Sequence, residues 1–388
     1  MSFGKSFRPG PRINNNQTKR DYNSMSSSKK LFGPVGKAIQ AYQSALKTLK
    51  PVQPIKTNYS GVKVSPVVNK DLHKYVQDYL NNFAKQSTKI NAESNRRLKE
   101  KIDALSPSAQ DDKEIVQKIT ASHIPKVSLL PGSSKWTEFS RVLTSVQTRN
   151  VICMSIDIEA WEKNPKIITE IGISIWDPRI ESGQYSISGP SFDNHHILIN
   201  ESLALRNTQF MPDHKHQYLM GKSKIMSMKQ CQVFIQELID EYMIPDADAP
   251  ESEPGYERAF VGHGFSGDLK WLQSLSLRIP ENIPVFDTMK IFQSIYGSTG
   301  SGLGKALRLL QIPHAYMHNA GNDAYYTLRL LLHMCDIEKR KLLGLDDIEK
   351  VQNTIEQWRS HDSGGSPSGS SKRRRKNVAT EFQGSVHY

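Results

Sequence analysis

The chain has 388 residues and a formal net charge of +12, and 37% of its residues are hydrophobic. This length exceeds one typical domain and allows a sizeable core. The three cysteines show no paired spacing, so no disulfide framework or cysteine-based zinc site is expected, and a reducing compartment is favoured. No apolar run approaches the roughly 18 residues of a membrane span, so we expect an intracellular protein without membrane contact.

Most of the positive charge lies in the two ends of the chain. Residues 1–60 hold eleven Lys and Arg against the single acid Asp21, and residues 361–388 contain the run KRRRK. We predict that both ends are disordered basic arms that attract phosphate groups, beside a nearly neutral middle. KRRRK resembles a nuclear localisation run, and the amino terminus weakly resembles a mitochondrial transit peptide, while a solvated tail explains each equally well. Nucleus, cytoplasm and, as the alternative, mitochondrion are retained.

Residues 61–135 are predicted to form a helical segment followed by a polar linker. Within residues 68–105 apolar side chains recur at helical spacing. They are Leu72, Tyr75, Val76, Tyr79, Leu80 and Phe83. Packing against the main domain explains this stripe most simply. A helix that binds a partner is the less favoured explanation.

Residues 136–340 are predicted to form the main domain, followed by a carboxy-terminal helix within residues 341–360. Strands are predicted at 151–158, 167–176, 195–200, in RAFVGHG and in IPVFD. Helices are predicted near 136–142, 228–244, 266–276, 287–296, 302–311, 320–335 and 346–358. This alternation predicts an α/β fold in which helices flank a sheet.

Two acidic residues interrupt the first apolar strand. Asp157 and Glu159 are separated by one residue, so in an extended strand both side chains point to the same face, opposite Ile156 and Ile158. Buried charges are costly unless they are paired or coordinate cations. The pattern therefore predicts a divalent metal site.

Further acids and a histidine follow at defined places. Asp268 is expected in the first turn of the helix after the strand that ends in VGHG. His318 precedes Asp323 by five residues, about 140° apart on a continuous helix, so the two converge only if His318 lies on the preceding loop. A loop histidine with a near-neutral pKa is suited to deprotonate an attacking water.

The order of these motifs carries a family resemblance. IDIEA, GHGFSGDLKWL and HNAGNDA follow the pattern DxE, GHxxxxDLxxL and HxAxxDA, which resembles the DnaQ-like, DEDDh-type 3′→5′ exonucleases of the ribonuclease H-like superfamily. The segments VFDTMKIF and SGLGKALRLLQI also resemble the family's context, and the match covers roughly residues 148–335. More loosely, ITEIGISIWD and GKSKIMSM are similar to the fungal carboxy-terminal domains named "good for full" activity of a DEAD-box helicase.

The resemblance implies a ribonuclease H-like mixed sheet and two metal ions, Mg²⁺ or Mn²⁺. It implies that Asp157, Glu159, Asp268 and Asp323 are metal ligands, with His318 as general base. The sequence departs from the family where Ala160 and Trp161 replace small polar residues after DxE, and where Phe265 stands in a glycine-rich turn. Ala160, Trp161 and Phe265 are predicted to contact substrate, Trp161 by stacking on a base, although a packing role for Trp161 is favoured.

Other polar residues receive structural predictions. Asp287 is expected to cap a helix, and His263 is expected to be a hydrogen-bonded structural residue. The histidines between positions 195 and 216 are predicted to lie on a surface loop, since no cysteine accompanies them in a zinc-like spacing.

Two function classes remain open. The first is a metal-dependent 3′→5′ exonuclease, with single-stranded RNA as the expected substrate. The alternative is a module that binds RNA or a ribonucleoprotein, in mRNA metabolism or export, with little turnover. A ribonucleoprotein partner is expected to bind through residues 1–105.

Overall fold

A mixed sheet of six strands lies at the centre of the described part of the chain, which is residues 69–106, 113–122, 129–179, 191–244 and 255–363. Its strand order is β4-β3-β2-β1-β5-β6. The strands are β1 Val151–Trp161, β2 Asn164–Trp176, β3 Asp193–Ile199, β4 Lys224–Met226, β5 Glu257–Gly262 and β6 Val285–Asp287. The first three strands pair antiparallel, whereas β4, β5 and β6 pair parallel with their neighbours.

Ten α-helices accompany this sheet within the described residues. They are α1 Lys70–Asp103, α2 Lys113–Ser122, α3 Ser134–Gln147, α4 Met228–Tyr242, α5 Ser266–Ser274, α6 Thr288–Tyr296, α7 Leu303–Leu309, α8 Ala320–Cys335, α9 Ile337–Leu343 and α10 Ile348–Ser363. The mixed sheet between helices confirms the predicted α/β, ribonuclease H-like fold. None of the helices in the described ranges is long and apolar enough to cross a membrane.

Several elements differ from the sequence-based prediction. Helix α2 lies in the predicted linker, and α9 and the three-residue strand β4 were not predicted. Helix α10 extends to Ser363, so the first residues of the predicted carboxy-terminal arm are helical. The arm predicted for residues 1–60 and the remainder of the second arm lie outside the described residues.

The two faces of the sheet are covered by different helices. Along β1 the odd positions Val151 and Cys153 join the core formed with α1, α3 and α6 to α10. The even positions Ile152, Met154 and Ile156 join a second core formed with α4 and α5. This alternation follows from the two-residue period of a strand. It turns Asp157 and Glu159 toward the face that α8 covers.

The apolar stripe of α1 packs inside the protein. Phe83 lies against Trp136 of α3, with ring centroids 6.3 Å apart. The Tyr79 hydroxyl donates to Asp346 at 2.9 Å, and the Arg340 guanidinium, only 1% exposed, also donates to Asp346, at 2.7 Å. A buried charge of this kind is tolerated because its partners satisfy it. Helix α1 therefore helps to enclose the same core as the main domain.

Gly172 allows α8 to approach the sheet closely. It lies on β2 opposite Asp157, and a Cβ atom placed on it would come within 1.9 Å of the Ala320 carbonyl oxygen. Real Cβ atoms do not make contacts this short, because backbone atoms cannot yield that space. The missing side chain thus brings the first turn of α8 against the carboxylates of β1.

Candidate active site

The first two acids of the candidate site lie at the end of β1. Asp157 pairs in register with Gly172, and Glu159 with Glu170, both on β2. The register shifts after Glu159, where the strand is irregular on both sides of Ala160. Irregularities of this kind bend a strand and redirect its side chains. Asp157 and Glu159 are both partly buried, as their position beneath α8 requires.

Asp268 reaches the same place from α5. It lies in the first turn of that helix, as predicted, and its Oδ1 accepts a hydrogen bond of 3.0 Å from the Ile158 backbone N–H. Ile158 lies between Asp157 and Glu159 in the sequence. The hydrogen bond therefore fixes a third carboxylate beside the first two.

His318 and Asp323 converge because the chain bends between them. His318 lies on the loop before α8 with φ of 67°, and Asp323 lies in the first turn of the helix. The His318 backbone N–H donates to Asp323 Oδ2 at 2.8 Å. A left-handed backbone conformation is uncommon for a residue other than glycine, so this loop is held in a specific shape. The five-residue spacing is thereby explained.

Three potential ligands form the tightest group. One ligand atom each from Glu159, His318 and Asp323 lies within 4.8 Å of the others, and His318 Nδ1 is 3.9 Å from Glu159 Oε1. Asp157 and Asp268 lie outside this group of three, although their charges act on it. The structure thus brings all five predicted residues to one place. Their individual roles stay predictions.

Burial and mutual repulsion make these carboxyls hard to ionise together. Burial, followed by the charge of Asp323, raises the pKa of Asp157 and of Glu159 well above their usual values. Burial raises the pKa of Asp268 to about 6 and that of Asp323 to about 7. Such clustering is characteristic of functional sites. A cation placed among the carboxylates would relieve the repulsion.

The donor set fits a hard divalent cation. Mg²⁺ takes oxygen ligands, and four carboxylates supply them here. Asp323 Oδ1 is buried, and within the described residues no group donates a hydrogen bond to it. A buried oxygen of this kind normally has a partner. A bound Mg²⁺ or Mn²⁺ would supply one.

His318 is suited to accept a proton. Burial, with a further contribution from the nearby His214, lowers the pKa of His318, so its ring is neutral at physiological pH. Its side chain is nevertheless 41% exposed. A neutral, accessible imidazole beside a carboxylate cluster is the arrangement that a general base needs.

Asp287 supports the site from behind. Its carboxylate caps α6 through the Met289 and Lys290 N–H groups, as predicted. It also accepts hydrogen bonds from the Gly264 and Phe265 N–H groups, at 3.0 and 3.3 Å. These two residues form the turn that leads into α5. Asp287 therefore fixes the start of the helix that carries Asp268.

The sequence did not reveal a buried polar pair beside the site. His196 is fully buried on β3, and its Nε2 lies 3.0 Å from Glu170 Oε2. The Asn319 side chain lies near both of them and donates to the His214 carbonyl at 3.0 Å. The predicted surface loop is therefore wrong for His195 and His196, which both lie on β3. The sequence did offer one signal, because the alternation of the strand HHILIN turns His196 toward the interior.

The predicted substrate contacts have different outcomes. Phe265 is 2% exposed and stacks on Phe260 in the core, so it offers no surface to substrate and its prediction is corrected. Ala160 and Trp161 are partly buried at the end of β1, and their contacts with substrate stay predictions. His263 has partners at both ring nitrogens, the Thr288 hydroxyl and the Ser301 carbonyl, which fits its predicted structural role.

Comparison with known proteins agrees with this geometry. The family model "DNA polymerase III subunit epsilon-like, C-terminal domain", of DEDDh type, matches residues 152–334, which include all five residues of the candidate site. A Schizosaccharomyces pombe protein named "Uncharacterized nucleolar protein C2C4.08" is 35% identical over 187 residues, covering 46% of this chain and 67% of that protein. The chain belongs to the DEDDh family. Divalent metal ions are general in DEDDh domains, and the acidic cluster fits them.

Two relatives from Saccharomyces cerevisiae extend the similarity. "Good for full DBP5 activity protein 2" is 39% identical over 272 residues, covering 65% of this chain and 47% of that protein. "Uncharacterized protein YDR514C" is 35% identical over 332 residues, covering 80% of this chain and 65% of that protein. The chain thus spans less than two thirds of the length of either yeast protein. These relatives place it within a fungal branch of the DEDDh family.

Proposed function

We propose that this DEDDh protein is a metal-dependent 3′→5′ exonuclease that acts on single-stranded RNA. The observation that carries the proposal is the group formed by Glu159, His318 and Asp323, whose ligand atoms lie within 4.8 Å of one another beside two further carboxylates. An acidic cluster with an adjacent neutral histidine is the equipment that hydrolysis of a phosphodiester requires.

Each side chain has a distinct task in this proposal. Asp157, Glu159, Asp268 and Asp323 would hold two divalent ions, which stabilise charge on the attacking and leaving oxygens. His318 accepts the proton of the attacking water on its imidazole. The hydrogen bond from its backbone to Asp323 fixes the loop from which the ring extends toward the carboxylates. Proton acceptance and phosphate positioning are thereby assigned to different residues.

A nucleic-acid substrate is supported by the charge of this chain, and a nuclear location by the name of one relative. One relative is named a nucleolar protein, and another is named for full activity of DBP5. The basic ends of the chain would attract a phosphate backbone. We therefore propose that the activity acts on nucleic acid within the nucleus, with RNA as the expected substrate.

A second candidate is an RNA-binding or ribonucleoprotein-binding module with little turnover. It is favoured by the residues after Glu159, because Glu162 is engaged by the backbone of a neighbouring loop rather than left open to a nucleotide. The two candidates differ in one measurable property, the shortening of RNA.

The test uses the full chain with RNA labelled at its 5′ end, in Mg²⁺ or Mn²⁺. We expect stepwise shortening of RNA with a free 3′ end and no shortening when that end is blocked. His318→Ala should slow the reaction by about 10²–10⁴-fold, the usual contribution of a general base. His361→Ala, at an exposed histidine on α10, is the matched control and should leave the rate unchanged.

Three results would argue against the exonuclease. Internal cuts in end-blocked RNA would indicate a different reaction. Equal rates for His318→Ala and the wild type would show that His318 is not the general base. Tight binding of RNA that stays intact in both metals would support the binding module instead. DNA of the same sequence, run beside the RNA, tests the assignment of substrate.

Asp287→Ala tests the support behind α5. Losing a buried acceptor of four N–H groups should reduce the free energy of unfolding by roughly 2 kcal/mol, and should slow RNA shortening by about 10–100-fold because the turn before Asp268 loosens. Thermal melting and the shortening rate measure the two effects. Asp336→Ala removes the cap of α9, about 20 Å from Asp323 along α8, and should lower stability alone. Equal rates for the two variants would contradict the positioning role.

A further inference from the structure

One long connection lies between the two sides of the candidate site. Residues 203–223 join the turn after β3 to β4, and we call them the 203–223 loop. On one side, the Asn207 side chain donates to the Ala160 carbonyl at 2.9 Å and accepts from the Glu162 N–H at 2.9 Å. On the other side, His214 Nδ1 donates to the Met317 carbonyl, at 2.6 Å. The loop is therefore fastened both to the end of β1 and to the segment that carries His318.

Glu162 fixes the loop most firmly at residues 208–210. Its carboxylate accepts hydrogen bonds of 3.0–3.1 Å from the consecutive N–H groups of Thr208, Gln209 and Phe210. Hydrogen bonds to a charged acceptor are about twice as strong as those to a neutral one. The backbone of Phe210 is thus held in place beside the candidate site.

The side chain of Phe210 is left in solvent. It is 72% exposed, although its own backbone is fixed. Single exposed apolar side chains are ordinary on protein surfaces. Phe210 differs from them because its backbone N–H is bonded to Glu162, which directly follows β1 and lies three residues beyond Glu159 in the sequence. An aromatic side chain carried on a backbone that is fixed beside this end of β1 is preorganised for a flat ligand.

We propose that Phe210 is a nucleobase-stacking residue that binds an unpaired base near the 3′ end of single-stranded RNA. The inference rests on the proposed function, because it takes the carboxylate cluster as the place where the 3′ end is held. Aromatic faces accept any base, so the contact selects an unpaired strand and not a sequence. Lys163, whose Nζ lies 5.9 Å from the centre of the Trp161 ring, adds positive charge beside the same strand end.

The experiment measures binding without hydrolysis. The full chain, in EDTA, is titrated into single-stranded RNA labelled at its 5′ end, and fluorescence anisotropy gives the dissociation constant. One RNA has all its bases, and three others each lack one base among the last three nucleotides. We expect Phe210→Ala to weaken binding of the intact RNA by roughly 5- to 100-fold, the usual effect of losing one stacked base. Phe210→Trp should retain the affinity.

Two comparisons make the test specific. Leu342→Ala changes an apolar side chain that is even more exposed, 82% on α9, and should not alter binding. For one of the three abasic RNAs, the dissociation constant with the wild type should equal that of the intact RNA with Phe210→Ala. The same abasic RNA should lose no further affinity when Phe210→Ala replaces the wild type. Unchanged binding by Phe210→Ala, or an equal loss for every RNA, would overturn the stacking contact and favour a protein ligand or a purely structural loop.

Failure of this inference is separable from failure of the proposed function. RNA shortening with unchanged binding by Phe210→Ala would leave the exonuclease and remove the stacking residue. The opposite result is also informative. If the wild type never shortens RNA, but Phe210→Ala weakens binding of the intact RNA and not of the matching abasic RNA, the stacking residue stands and belongs to the binding module.

Discussion

Asp157→Asn is expected to abolish most of the exonuclease activity. The rate should fall by about 10²–10³-fold, the usual cost of losing a single fixed electrostatic contact to the reacting groups. The substitution preserves volume and removes only charge. Because burial and neighbouring acids already oppose ionisation of Asp157, the neutral side chain should not destabilise the fold. The shortening rate of end-labelled RNA measures the loss.

Asp240→Asn is the matched control for this substitution. Asp240 lies on α4, on the opposite face of the sheet, where it forms an exposed ion pair with Arg278. The same chemical change there should leave the rate unaltered. A comparable fall in both variants, or a normal rate in Asp157→Asn, would show that the β1 carboxylate is not part of the reaction.

Divalent metal should stabilise the folded protein strongly. At a hundredfold excess over the dissociation constant, a ligand that binds only the folded state adds about 2.7 kcal/mol, which corresponds to a rise in Tm of about 5–10 °C for a domain of this size. Mg²⁺ or Mn²⁺ would occupy the buried carboxylates and give Asp323 Oδ1 the partner that it otherwise lacks among the described residues. Thermal melting with metal and with EDTA measures the effect.

Asp323→Asn separates metal binding from general stability. The amide oxygen can still accept the hydrogen bond from the His318 N–H, while the charge that repels Asp157 and Glu159 is removed. We expect a higher Tm than the wild type in EDTA and a much smaller rise with metal. Asp240→Asn should respond to metal like the wild type. If the Tm of the wild type were the same in Mg²⁺, in Mn²⁺ and in EDTA, the metal site would be refuted.

The same acids set a dependence on pH in EDTA. The pKa of Asp323 rises from 3.8 to about 7 in the folded protein, and that of Asp268 to about 6. The folded state therefore binds more protons than the unfolded state between these values, and the free energy of unfolding falls as pH rises from about 4 to about 7. Asp323→Asn should flatten this decline. Stabilisation by metal should grow over the same interval, because protons and cations compete for the carboxylates.

Local periodicity was sufficient to predict the charged part of the site. The two-residue repeat of β1 placed Asp157 and Glu159 on one face, and the five-residue spacing required a bend between His318 and Asp323. Both inferences need only the geometry of one segment. They also depend little on where an element ends, so the extension of β1 to Trp161 did not affect them.

Contacts between distant segments were not predictable in this way. Phe265 looked accessible in a glycine-rich turn, but its ring fills the space above Gly262, where a Cβ would come within 2.3 Å of the ring. The pair formed by Glu170 and His196 depends on the register between β2 and β3, which the sequence does not specify. Glu162 holds the 203–223 loop through hydrogen bonds to residues that lie 46–48 positions further along the sequence, so no local pattern indicates them.

Gly172 gives the site a mechanical vulnerability that no charged residue reveals. The two acids of β1 and Asp323 of α8 belong to separate segments, and their spacing is set where the Ala320 carbonyl rests on a residue without a side chain. A single methyl group at Gly172 would push the first turn of α8 away from β1. The distance between Asp323 and the acids of β1 would then increase, although every carboxylate and the imidazole remained in the chain. A relative with a side chain at this position could therefore be inactive although all five motif residues are present.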